Sequence, residues 1–134
     1  CRQGEVAGAN MAGAFREFDA NILSNLAHYL DYDFIGIGDV SACKDTDEVY
    51  EYENERYYIR AVRDGSGIKC INAIGSADSN GFLRNIFISG IVKNAFIKSI
   101  ENPEAGLDIP TICFLQKNGF PNDFINFLGG KSID

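Results

Sequence analysis

Val49-Tyr-Glu-Tyr-Glu-Asn54-Glu-Arg-Tyr-Tyr-Ile59-Arg-Ala-Val-Arg-Asp64-Gly-Ser-Gly-Ile68-Lys-Cys-Ile-Asn-Ala-Ile-Gly75 is the stretch on which the fold turns. Residues 49–53 alternate, with Tyr50 and Tyr52 on one face and Glu51 and Glu53 on the other, as a half-buried strand requires. Residues 55–63 alternate again through Tyr57, Ile59 and Ala61, and Asn54 suits the turn between the two runs. Asp64-Gly-Ser-Gly67 is a second turn, made of residues that tolerate positive φ. It leads into a mostly apolar run, residues 68–74, that closes at Gly75. Three consecutive strands joined by tight turns predict an antiparallel meander.

Outward from the meander, residues 33–38 (Asp-Phe-Ile-Gly-Ile-Gly) read as a short strand, and 44–48 as an acidic loop. Downstream, 76–81 is a polar loop. From Phe82, apolar residues recur at helical spacing through Ile86, Phe87, Ile91, Phe96, Ile97 and Ile100. Leu83, Ile88 and Val92 widen that face, so the spacing predicts a long, mostly buried helix ending at Pro103. The tail holds an apolar segment at 109–115 and a short amphipathic helix at 121–128, stopped by Gly129-Gly130. At the other end, residues 2–13 read as a helix of small residues. Gly4, Gly8 and Gly13 would each weaken it by about 1 kcal/mol in isolation, so it should form by packing tightly against something. The expected class is α+β: an antiparallel sheet with helices packed on one face.

At 134 residues the chain is the size of one domain, and 46% hydrophobic residues suit a folded globule. A net charge of −7, with no basic cluster, excludes the concentrated Lys and Arg that nucleic acid or an anionic membrane surface would need. No apolar run approaches a bilayer span. The chain begins at Cys1, and its first methionine is Met11, which predicts an N-terminus made by cutting or processing. A processed lipoprotein also begins with Cys, but continues into a flexible tether rather than a helix. The cysteines (Cys1, Cys43, Cys70 and Cys113) form no C-x-x-C pair and are joined by a single histidine, so no metal-ligand set is expected. Cys70 and Cys113 lie in apolar runs and are expected to be buried free thiols, which favours a reducing cytoplasm.

Gly36-Ile-Gly38-Asp39-Val40 is two-thirds of a dinucleotide fingerprint, but the third glycine at a helix start and the crossover helix are missing. His28, between Ala27 and Tyr29, shows no partner pattern and reads as a surface or structural histidine. Asp45, Asp47 and Glu48 read as a solvated loop. Cys43 is the expected exposed thiol, with neighbouring acids opposing its reactivity despite Lys44. The tyrosines at 50, 52, 57 and 58 read as sheet packing. No catalytic residue is assigned.

Two segments carry a family resemblance. Arg2-Gln-Gly-Glu-Val-Ala-Gly-Ala-Asn-Met-Ala-Gly13 is similar to the helix that ends the flavin-binding domain of pyridine-nucleotide-disulfide oxidoreductases. It looks closest to the branch of rubredoxin reductases, NADH oxidases and nitrite reductase large subunits. The C-terminal domain of that family reads as a hydrophobic strand ending in Ile-Gly, a Tyr-containing strand, an Asp-Gly turn and a strand ending in Gly. Phe34-Ile-Gly-Ile-Gly38, Tyr57-Tyr-Ile-Arg-Ala-Val-Arg-Asp-Gly65 and Ile68-Lys-Cys-Ile-Asn-Ala-Ile-Gly75 resemble it in that order. The likeness covers roughly the first hundred residues. Gly38-Asp39 follows the helix, whereas the family's flavin-binding Gly-Asp precedes it, and the His-Pro-Thr element of glutathione-reductase-like interface domains is absent.

The resemblance implies a reductase-like C-terminal or dimerisation domain at 14–134, with 1–13 the terminal helix of a preceding flavin-binding domain. It implies a parent that moves hydride from NAD(P)H through FAD, while this chain alone holds neither cofactor. Cys1, Arg2 and Gln3 would lie nearest the flavin. The implied partners are the parent's own FAD and NAD(P)H domains, a second copy, or a redox-protein acceptor. The alternatives are a stand-alone interaction or small-ligand-binding module, including an exported one anchored through Cys1, and a small enzyme using Cys43 with His28.

Overall fold

The computed structural model describes residues 2–17, 23–76 and 90–129. Helix α1 (Arg2–Met11) precedes five strands: β1 (Ser24–Tyr29), β2 (Tyr32–Gly38), β3 (Glu48–Glu53), β4 (Tyr57–Asp64) and β5 (Gly67–Ser76). A single 3-10 turn, Val40–Ala42, lies between β2 and β3. Helices α2 (Ile91–Glu101), α3 (Ile109–Lys117) and α4 (Asn122–Phe127) follow.

The sheet order is β1-β2-β5-β4-β3, and every neighbouring pair is antiparallel. The expected meander is β3-β4-β5. Strand β2 lies beside β5, across the meander from β3, so β2 to β5 form a Greek key. Strand β1 carries no period-two signal in the sequence, because all six of its residues are exposed and none need face the core. It pairs with β2 through Leu30-Asp31, where Leu30 takes a left-handed φ of 54°.

One face of the sheet supplies Ile35, Ile37, Ile59, Ala61, Ile71 and Ala73 to the core. Val92 and Phe96 of α2, Ile112 and Leu115 of α3, and Phe124 and Ile125 of α4 cover them. Tyr50 of β3 packs between the rings of Phe124 and Phe127, at centroid distances of 5.6 and 5.5 Å. The protein is thus α+β, with an antiparallel sheet and helices on one face.

In β5, strict alternation would put Ile68 and Ile71 on opposite faces, yet both join this core. A bulge reconciles them. Val62 pairs with Cys70 and Arg63 with Ile68, so Lys69 is the extra residue and the side-chain phase shifts by one.

The long helix expected from Phe82 is seen over Ile91–Glu101, and its part at 77–89 lies outside the described residues. Ile100, expected on the buried face, is 48% exposed. The inward row after Val92 and Phe96 continues instead to Ser99, whose Oγ accepts from the Ile68 N–H at 3.0 Å. The 109–115 segment is helical, capped by Asp108 accepting from the Thr111 N–H at 2.9 Å. That helix turns Ile112 and Leu115 inward and Cys113 outward, so the expectation of a buried Cys113 is overturned.

Phe124→Ala, which empties a site only 1% exposed, should cost about 3–5 kcal/mol in urea unfolding. Leu30→Gly, which relieves a left-handed backbone at an exposed turn, should gain up to about 1 kcal/mol in the same measurement.

Candidate functional site

Two clusters of partnered polar and thiol side chains lie towards the end of the sheet where β4 turns into β5. A cleft of about 560 Å³ opens there, lined by Asp47, Glu48, Arg63, Asp64, Ser99 and Phe127 among others. The bulge places the Lys69 ammonium 2.7 Å from Asp47 Oδ2 and 3.0 Å from Asp64 Oδ2. The Lys69 and Asp47 side chains are only 17% and 5% exposed, so Asp47 is an anchor of this cluster and not part of a solvated loop. The Lys69 hydrogen bond, then the Lys44 N–H, holds the Asp47 carboxyl below the usual carboxylate range. Asp64 is held well below that range by the hydroxyl and N–H of Ser66, and then by Lys69. Lys69 is raised in turn by Asp47 and Asp64.

Arg63 is equally committed. Its Nε meets Glu48 Oε2 at 2.5 Å, its Nη1 donates to the Phe127 carbonyl at 3.1 Å, and its guanidinium lies 4.7 Å from the Phe127 ring centroid. These charges bond the wall of the cleft together. Such an arrangement braces the turn, and its cations are engaged by the protein's own acceptors.

The second cluster is built by the Gly38-Asp39 motif. Gly38 has φ 89° and lies opposite Cys70, and a Cβ there would overlap the Lys69 carbonyl oxygen. Asp39 then caps the 3-10 turn, its Oδ1 accepting from the Ser41 N–H at 2.9 Å and the Ser41 hydroxyl at 2.6 Å. These bonds hold its carboxyl below the usual range. The turn closes with the Cys43 N–H on the Val40 carbonyl at 3.2 Å, which sets the Cys43 Sγ 3.5 Å from the Cys70 Sγ. Cys43 is half-buried, whereas Cys70 has no exposed surface. Burial, and then the neighbouring Cys43, pushes the Cys70 thiol up to about 12.

His28 does have a partner. Its Nδ1 lies 2.7 Å from Asp33 Oδ1, the residue directly across the β1-β2 pair. Asp33 lies opposite Gly75 and Gly38 opposite Cys70, five residues apart on β5, or roughly 17 Å. His28 and Cys43 are therefore not brought together. Of the residues expected near a flavin, Arg2 and Gln3 open α1, and Cys1 lies outside the described residues. Both close pairs escaped sequence reading. The thiols are 27 residues apart, and His28 meets Asp33 only once β1 is recognised as a strand. Among the described residues no group of three His, Cys, Asp or Glu is placed to hold a metal ion. Among them too, no helix is long and apolar enough to cross a membrane.

Because Asp47 and Asp64 have depressed folded-state values, their stabilisation is complete above the ordinary value of 3.8 and is lost as pH falls through the folded values. Lys69→Met should therefore lower the Tm at neutral pH. It should also flatten the fall of Tm between about pH 5 and about pH 2, followed by circular dichroism.

No protein-family model matches the chain, and neither does any curated protein. Among solved structures, NADH:rubredoxin oxidoreductase from Clostridium acetobutylicum is similar over 66% of this chain, with 24% identity and a TM-score of 0.40. The match covers 23% of that enzyme's chain.

Proposed function

We propose that this chain is the C-terminal interface domain of an FAD- and NAD(P)H-dependent oxidoreductase, in the rubredoxin reductase, NADH oxidase and nitrite reductase branch. Residues 1–13 are then the last helix of the flavin-binding domain, and 14–134 the interface domain. The observation that carries this reading is α1. Its glycines are costly in a free helix, and ten residues are too few for an isolated helix to be stable in water. Yet a methyl group placed on Gly4 or Gly8 would meet nothing within 4 Å among the described residues. Met11 and Phe15 beside it are 90% and 87% exposed. Small residues that permit close approach, with apolar side chains next to them, suit a helix seated against another domain.

Among the described residues the strands form an antiparallel Greek key without the strand-helix-strand crossover that binds a dinucleotide, which supports assigning hydride transfer to partner domains. This domain covers the flavin side of the parent, shapes the approach of an electron acceptor, or meets a second copy. Arg2 and Gln3, which open α1, and Cys1 before them in the sequence are the residues nearest the flavin in this proposal.

The complete protein should purify with stoichiometric FAD and reduce ferricyanide with NADH or NADPH, while residues 1–134 alone bind no FAD. A complete protein without flavin, or stoichiometric FAD on these residues alone, would overturn the proposal. Gly8→Ala separates the two settings further. In this chain it should stabilise α1 by about 0.4–1 kcal/mol, seen as added helical circular dichroism, and in the complete protein it should lower FAD retention.

A further inference from the structure

We propose that Cys43 and Cys70 form a redox-active dithiol that a hydroperoxide converts into an intrachain disulfide. The Sγ atoms already stand 3.5 Å apart, and a disulfide needs about 2.05 Å. The approach is held by backbone: Gly38 lies against β5 at Cys70, Asp39 caps the turn, and Cys43 closes it. Cys70 sits in the central strand, hydrogen-bonded on both sides to β2 and β4, so the closing movement falls to the turn that carries Cys43.

Exposure orders the two steps. Cys43 reaches solvent and Cys70 does not, so Cys43 meets the oxidant first. Its sulfur takes the distal oxygen of the hydroperoxide, the O–O bond breaks, and the alcohol leaves with a proton. Cys43 is then a sulfenic acid. The Cys70 sulfur attacks it, the S–O bond breaks as the S–S bond forms, and the hydroxyl departs as water with the Cys70 proton. Two thiols have given two electrons to the peroxide, and an external dithiol reverses the change by thiol–disulfide exchange. Burial raises the Cys70 thiol and leaves little thiolate, so its attack on Cys43 relies on the 3.5 Å approach, which gives the neighbouring sulfur a high effective concentration that no outside reagent shares. The bond would tie the crossover between β2 and β3 to the middle of the sheet. The proposal does not depend on the oxidoreductase reading, since every residue in it belongs to the sheet and its own turn.

The test uses the whole chain with Cys1→Ser and Cys113→Ser, which leaves two of its four cysteines. After substoichiometric hydrogen peroxide, maleimide-reactive thiols in denaturant should fall from two per chain towards none in the oxidised fraction, on a monomeric band, with the Cys43 and Cys70 peptides linked. Dithiothreitol should restore both thiols. Adding Cys43→Ser should leave the Cys70 thiol intact at the same dose, and Cys70→Ala should let dimedone trap the Cys43 sulfenic acid. If Cys70→Ala fails to fold, the peptide map and Cys43→Ser decide. Two unreacted thiols, a Cys43 sulfinic acid beside a free Cys70, or a crosslink between chains would each overturn the proposal.

Discussion

The extra residue at Lys69 is the constraint on which the rest of the sheet depends. Side chains alternate strictly along a strand, so a one-residue change of phase moves every later side chain to the other face. With the bulge, Ile68 and Ile71 both enter the helix-covered core. The same shift aims Lys69 at Asp47 and Asp64, and leaves Cys70 on the face where the crossover turn arrives. Without it, either Ile68 would leave the core or Ile71 and Ala73 would. A single backbone irregularity thus fixes the core, the ion cluster and the thiol pair together.

The charges around this strand differ in kind. Arg60–Glu51 at 3.2 Å and Lys98–Asp108 at 2.7 Å are exposed pairs, and such pairs contribute little because water competes and two long side chains must be ordered. The Lys69 cluster is withdrawn from solvent, and its acceptors are themselves fixed by backbone N–H groups of Lys44 and Ser66. It works as a clamp that joins the crossover loop to the β4-β5 turn. The acidic composition is spent partly on such local closure, in which Asp39, Asp47, Asp64 and Asp108 each accept backbone N–H groups at a turn or helix start.

The sheet and its helices have a closed core, and the charges of the Lys69 and Arg63 clusters are paired internally. Among the described residues, α1 with its bare glycine face and the exposed edge strand β1 bearing His28 look outward. The thiol pair is different again, because it is assembled wholly within the domain, between a turn and a central strand.

Strands β2 to β5 were legible because period-two alternation and Asp-Gly turn chemistry are local, written within a few residues of where they act. Helix α4 and its glycine stop were legible for the same reason. Strand β1 was not, since an exposed edge strand carries no core-facing pattern and its turn uses Leu30-Asp31 in place of a glycine. Cys70 and Cys113 lie in similar apolar runs, and only helix against strand geometry decides that one is buried and the other exposed. The place of β2 beside β5, the phase of Ile68, and the meetings of His28 with Asp33 and Cys43 with Cys70 are set by strand register. Composition and periodicity therefore determined that this chain makes a helix-backed antiparallel sheet. Which side chains meet across it was decided only by tertiary pairing, because register is a relation between distant segments that neither segment encodes alone.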